Sequence, residues 1–170
     1  QRQMCIRDQG LDIGCGEAGN TRVLAGKGAK MFDRDFAPTF IRHAREAEQH
    51  TPLDIEFHLA DCKELPFAQA SFDFAVAFMS LMDVGDLDRA LDEAYRVLKP
   101  GGKFILSQSN RCYPSKAIAM WLQPSDLQHC QVIGAYFHYS GGWTPARAFD
   151  VSPSGPNTND PLFIVEATKE

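Results

Sequence analysis

The sequence has no cysteine pair at C-x-x-C spacing, although it contains five cysteines (Cys5, Cys15, Cys62, Cys112 and Cys130). A zinc knuckle or a dithiol redox motif is therefore not expected. An odd count at wide spacing also argues against a disulfide framework, so the thiols are read as reduced, in a reducing compartment. No apolar run approaches the roughly 18 residues of a membrane span. The first ten residues are polar and lack the apolar centre of a secretory signal. Basic charge is also scarce, with 17 Lys and Arg against 22 Asp and Glu, a formal net charge of −5. That balance disfavours nucleic acid as the main partner, because phosphate-backbone binders carry a basic face. No repeat, low-complexity tract, S-x-x-K, G-x-S-x-G or H-E-x-x-H pattern occurs, so hydrolase chemistry has no support. The five histidines do not cluster with cysteines at metal-ligand spacing, and no metal site is expected.

What is present is a globular composition. The 170 residues are 44% hydrophobic and include twelve Phe, enough for one compact core. Short apolar runs alternate with helical patterns, which predicts an α/β fold with a mostly parallel sheet. Strands are expected at Gly10 to Ile13, Lys30 to Arg34, Asp54 to Leu59, Phe72 to Phe78 and Lys103 to Ser107. Helices are expected from Asn20, as N-cap, to the Gly26-Lys27-Gly28 breaker, and from Thr39 to Gln49 behind Pro38. The clearest helix is Leu87 to Leu98, whose Leu87, Ala90, Leu91, Ala94 and Leu98 share one face. Pro114 to Leu122 reads as a helix, Val132 to Tyr139 and Leu162 to Ala167 as strands, and Thr144 to Pro161, with four prolines, as a surface loop.

The turn after the first strand carries G-x-G-x-x-G at Gly14, Gly16 and Gly19. Glycine there lets backbone N–H groups approach a ligand closely, at the positive end of the next helix. A plain tight turn would look the same, but strand, turn and helix follow in the required order. An acid about 20 residues on completes the pattern, since a carboxylate ending the second strand can accept both hydroxyls of a ribose. Asp35 is the better candidate, with Asp33 behind it; the lesser alternative for Asp35 is capping of the helix before Pro38. Asp12 separates two readings of this pattern. A carboxylate two residues before the first glycine repels a dinucleotide pyrophosphate and attracts a cationic ligand.

Four segments then occur in order. They are Leu11 to Gly19 (LDIGCGEAG), Asp35 to Arg45 (DFAPTFIRHAR), Ala60-Asp61-Cys62 with Leu65-Pro66-Phe67 and Ser71-Phe72-Asp73, and Arg96 to Phe104 (RVLKPGGKF). Together, over about Leu11 to Ser107, they resemble the class I S-adenosylmethionine-dependent methyltransferases of the ubiquinone- and menaquinone-biosynthesis type. The resemblance implies a Rossmann-like three-layer α-β-α sandwich, with six parallel strands and one antiparallel strand. It implies that the cofactor S-adenosylmethionine lies against the backbone of Gly14, Cys15 and Gly16, with Asp12 near its amino group. Asp35 would hold the ribose and Phe36 would pack on the adenine. Asp61 would accept from the adenine amino group beside the Cys62 backbone, and Phe78 and Met79 would line the methyl-transfer mouth. Asp73 reads as structural.

The family ordinarily places one or two helices before the first strand, and about ten residues precede Leu11 here. Residues 1–10 are therefore read as the remnant of a cap region in a single 1–170 domain, and residues 108–161 as the substrate side. Asn110, Arg111 and Tyr113 are candidates to orient a small-molecule acceptor, or simply to pin the next helix. The surrounding S-N-R-x-[FY]-x-x-K-A-x-x-x-W stretch is similar to methyltransferase-like proteins of photosynthetic organisms. The expected location is accordingly the cytoplasm, with the plastid stroma as alternative. His138 and Tyr113 are the candidates for a catalytic base. Tyr136, Phe137, Tyr139 and Trp143 read as core rather than as an aromatic wall. A non-catalytic cofactor-binding module is the first alternative, and a nicotinamide-dependent oxidoreductase the second.

Overall fold

The structure, a computed structural model, describes residues 8–81, 84–109, 125–154 and 160–170. The helix expected at Pro114 to Leu122 lies outside these residues. Strand β1 (Gln9–Ile13) leads through the Gly-rich turn into helix α1 (Gly19–Gly26), and β2 (Lys30–Asp35) into α2 (Pro38–His50). Strand β3 (Glu56–Leu59) is followed by a loop, then β4 (Phe72–Phe78), α3 (Leu87–Val97) and β5 (Leu98–Ser109). Helix α4 (Asp126–Ser140), β6 (Arg147–Asp150) and β7 (Leu162–Thr168) complete the described chain.

The seven strands form one sheet in the order β3-β2-β1-β4-β5-β7-β6. Strands β1 to β5 pair in parallel, and β7 runs antiparallel to both β5 and β6. Six strands thus share one direction and one opposes them, as the resemblance implied. Helices α3 and α4 cover one face, over Phe72, Phe104, Leu106 and Val165. Helix α2 covers the other, where Ile41 and Ala44 meet Met31 and Phe57.

Three expectations change. Val132 to Tyr139 belongs to helix α4, not to a strand. Its β-branched and aromatic residues suggest a strand, but Cys130, Ile133 and Phe137 are the buried positions, at helical spacing. A Ser125/Gln128 capping box also starts this helix. The seventh strand comes instead from Arg147–Asp150, inside the stretch expected to be loop. Helix α1 begins one residue earlier than expected, behind Ala18, and Asn20 does not cap it.

Arg96 pins the loop after β3 to α3. Its guanidinium donates to both oxygens of Glu93 (2.7 and 2.8 Å) and to the carbonyls of Phe67 (2.7 Å) and Leu65 (2.8 Å). Glu93 in turn accepts from the Leu65 backbone N–H at 2.7 Å. Arg96→Ala is expected to lower unfolding free energy by about 2 kcal/mol, because two carbonyls and a carboxylate lose charge-assisted partners. Arg96→Lys should restore little of it, since one ammonium cannot span four acceptors. Urea denaturation midpoints check both.

Candidate functional site

The sheet reverses its winding between β1 and β4. Helices α1 and α2 follow strands laid down to one side of β1, and β4 starts the other side. In an open parallel sheet this switch point leaves a crevice beyond the strand C-termini. The Gly-rich turn lies at that point. Gly14 and Cys15 N–H groups donate to the Arg34 carbonyl at 2.8 and 3.1 Å. Gly14 and Gly16 have φ of +76° and +55°, and Ala18 reaches 63° just before α1.

Asp35 ends β2 and shapes the crevice from the side. Its Oδ2 accepts from the Gly16 N–H at 2.9 Å and its Oδ1 from the Ala37 N–H at 2.8 Å. One carboxylate therefore ties the turn to the residue before α2; Ala37 is the N-cap of α2 and no side chain caps that helix, so Asp35 does not take the capping role. Phe36, next to it, is 80% exposed, with its ring free at the mouth. The Ala60 N–H donates to the Asp35 carbonyl at 3.1 Å and brings Asp61 alongside. The Lys63 backbone N–H donates to Asp61 Oδ1 at 2.9 Å, and that contact holds the Asp61 carboxyl below its usual range. Cys62, half-buried beside it, has its thiol pushed up to about 11 by burial. The Cys15 thiol is raised for the same reason, so neither sulfur is a nucleophile near neutral pH.

On the far side, Phe78 ends β4 and Met79 stands at φ 57°. A non-glycine residue held in the left-handed region costs on the order of 1–3 kcal/mol and is typical of binding sites. Ser80 then donates to the Ile13 carbonyl at 2.6 Å and closes β4 onto β1.

Asp12 lies beneath the turn, 1% exposed. Thr21 of α1 donates its hydroxyl to Asp12 Oδ2, while Oδ1 has no hydrogen-bond partner among the described residues. Burial raises this carboxyl to about 7. Asp33, weighed beside Asp35 for the ribose, instead faces Asp12 across the strand pair, fully buried. Arg34 was not foreseen. Its guanidinium is fully buried, 4.4 Å above the Phe67 ring, with no hydrogen-bond acceptor among the described residues. Burial lowers it to about 10.

The structure thus gathers Asp12, Gly14, Cys15, Gly16, Asp35, Phe36, Asp61, Cys62, Phe78 and Met79 along one sheet edge. His138 is not part of that group. It lies in the last turn of α4, close to Gly142, which packs on Tyr95 at the end of α3. Lys169 donates to the carbonyls of Tyr95 and Leu98, placing this end of α4 by the start of β5, at the opposite edge of the sheet. Phe137 and Trp143 are core there, and Tyr139 is exposed. Asp73 accepts from the Gln9 N–H and from Lys99 at 2.9 Å each, a structural role at the strand start. Asn110, Arg111 and Tyr113 lie outside the described residues.

A Rossmann-like sheet with an acid-lined glycine turn at its switch point defines the structural class. The chain belongs to the family described as "Methyltransferase domain", whose model matches residues 11–106. It is 39% identical over 98 residues to a sterol 4-C-methyltransferase of Caenorhabditis elegans, covering 56% of this chain and 29% of that protein. It is 28% identical over 154 residues to the 2-phytyl-1,4-naphtoquinone methyltransferase of Thermosynechococcus vestitus, covering 85% of this chain and 66% of that protein. Among solved structures, Haemonchus contortus phosphoethanolamine N-methyltransferase 2, in complex with S-adenosyl-L-methionine, superposes with a TM-score of 0.77 at 17% identity. That match covers 98% of this chain and 49% of the other. No helix among the described residues is long and apolar enough to cross a membrane.

Proposed function

We propose that this chain is an S-adenosylmethionine-dependent methyltransferase acting on a small-molecule acceptor. The observation that carries the reading is the charge of the crevice. Asp12, Asp33 and Asp35 lie at and beneath the glycine turn, and among the described residues no Lys or Arg side chain hydrogen-bonds or ion-pairs to it. Such a site suits a cationic nucleoside and repels a pyrophosphate, which counts against a nicotinamide dinucleotide. The residues fit the cofactor: the turn offers a glycine at Gly16 with open space where a Cβ would stand, an unpartnered oxygen on Asp12 and an exposed ring at Phe36.

The bound cofactor supplies an electrophilic methyl carbon on a sulfonium, with a neutral thioether as leaving group. The chain's own residues then have positioning work. The Gly14–Gly16 backbone holds the methionine portion, and Asp12 neutralises its ammonium. Asp35 keeps lone pairs for the ribose hydroxyls beyond those given to Gly16 and Ala37. Phe36 stacks on the adenine, Asp61 accepts from its amino group and the Cys62 N–H donates to the ring. Phe78 and Met79 bound the channel along which the acceptor approaches in line, and alignment supplies much of the rate. No general base is assigned. Asn110, Arg111 and Tyr113 remain the proposed acceptor side. Sterol and quinone relatives favour a small, largely apolar acceptor. The free thiols of Cys15 and Cys62 suit the cytoplasm or another reducing compartment.

Calorimetric titration with S-adenosylmethionine tests the reading. Wild type should bind in the micromolar range, and Asp35→Ala should weaken binding at least a hundredfold, since it removes the ribose acceptor and releases the turn. A folded wild type that gives no heat overturns the reading.

A further inference from the structure

Two buried carboxylates face each other under the glycine turn. Asp12 of β1 and Asp33 of β2 are register partners on adjacent parallel strands, exposed by 1% and 0%. Neighbouring strands lie about 4.8 Å apart, so the two carboxyls are close neighbours on one face. Thr21 spends its single hydroxyl proton on Asp12. Among the described residues no donor comes within hydrogen-bond distance of either oxygen of Asp33 or of Oδ1 of Asp12, although the Thr21 hydroxyl and the Cys15 thiol lie close enough to Asp33 to act on it. The groups that bear on the pair are the Cys15 thiol from the turn, Asp35 from the end of β2 and Glu48 from α2. All three are neutral or acidic, and Glu48 is already matched by Arg22 of α1 at 2.7 Å. Arg34 projects to the other face of the sheet, over Phe67.

Two like charges this close in a dry site do not both ionise. We infer that Asp33 is a specificity-determining residue: with Asp12 it holds one proton in the unliganded site and releases it to solvent when a sulfonium binds, so the site tells its cationic cofactor from the uncharged sulfur of the demethylated product. The inference rests on the cofactor reading proposed above. Asp12 alone would answer the ammonium, which S-adenosylmethionine and S-adenosylhomocysteine share. The second carboxylate is the one left to answer the charge that only the first ligand carries. No bond is made or broken except the O–H bond of the shared proton, which passes to buffer.

Burial raises Asp33 to about 8 and Asp12 to about 7, so the exchange falls near neutral pH. The pair titrates as a unit, and the proton belongs to both. Affinity for S-adenosylmethionine should climb with pH through this window, by at most about tenfold per unit for one proton released. Affinity for S-adenosylhomocysteine should climb less. Product inhibition is then weaker on the alkaline side.

The experiment is titration calorimetry at pH 7 in phosphate and in Tris, whose different ionisation heats count protons, with each ligand in turn. Wild type should release more protons with S-adenosylmethionine than with S-adenosylhomocysteine. The ratio of the two affinities, measured from pH 6 to pH 8.5, should rise. Asp33→Asn, isosteric with the protonated acid and checked for folding by circular dichroism, should bind S-adenosylmethionine with little proton release and a pH-flat ratio. Equal release with both ligands in wild type, or an unchanged slope in folded Asp33→Asn, overturns the inference while leaving the cofactor reading intact. Absence of S-adenosylmethionine binding by wild type at every pH overturns the cofactor reading, and this inference with it.

Discussion

Gly14→Ala should destabilise the domain by about 3–5 kcal/mol and abolish binding of the proposed cofactor, whereas Gly16→Ala should lose binding with only about 1 kcal/mol of stability. The two glycines share a motif and a positive φ but not an environment. A Cβ on Gly14 would stand 2.4 Å from Ser80 Cβ and 2.8 Å from Ser80 Oγ. Ser80 cannot withdraw cheaply, because its hydroxyl closes the β4 end onto Ile13 at 2.6 Å. Alanine at 14 must therefore strain its own backbone and also push β4 from β1, the two strands that bound the crevice. A Cβ on Gly16 meets nothing within 4 Å. Its cost to the fold is the left-handed backbone alone, but it fills the space kept for ligand. Urea denaturation and calorimetric titration on both variants separate these effects. Equal stability losses would mean that Gly14 and Ser80 are not in contact.

The difference between those glycines shows where sequence reading stops. The G-x-G-x-x-G pattern, the strand before it and the helix after it are local, and all three occur in the expected order, with only the start of the helix displaced. The positions of Asp35 and Asp61 were legible for the same reason, because Asp35 is the last residue of β2 and Asp61 comes two residues after β3. Contacts that depend on register across the sheet were not. Nothing in the spacing of Asp12 and Asp33 says that they are opposed, and the buried Arg34 between two acids reads, in one dimension, as the polar end of a strand. Helix α4 was hidden by composition. Val132, Tyr136, Phe137 and Tyr139 favour a strand, and only the core beneath α4 selects Cys130, Ile133 and Phe137 as its inner face. Moving that segment from strand to helix also removed His138 from the ligand edge. A strand there could have pointed it toward the crevice, whereas the helix delivers it to the far end of the sheet.

Asp33→Asn should raise the stability of the unliganded domain by several kcal/mol at pH 8.5 and by almost nothing at pH 4.5. The sign follows from protons. Asp33 and Asp12 bind protons more tightly folded than unfolded, with folded values of about 8 and 7 against an ordinary 3.8. Their contribution is complete below pH 4 and is lost as pH rises through 7 and 8, where the fold must carry charge in a dry pair or lose it by unfolding. Glu48 and Glu93 act the other way. Backbone N–H groups and arginines hold their carboxyls below the usual range, so their support is present above about pH 5 and fades as acid protonates them. Stability of the unliganded protein should therefore be highest near about pH 4 and decline steadily toward pH 8.5. Asparagine at position 33 removes one buried acid and half of the repulsion, and should flatten that alkaline decline. Urea midpoints from pH 4.5 to pH 9 on both proteins decide it. A wild-type stability that keeps rising through pH 8 would show that the two carboxylates are solvated or paired. The measurement needs no ligand, so it examines the buried pair independently of what the crevice binds. If the alkaline decline is present and S-adenosylmethionine reverses it more fully than its demethylated product does, the fold and the cofactor are competing for the same proton.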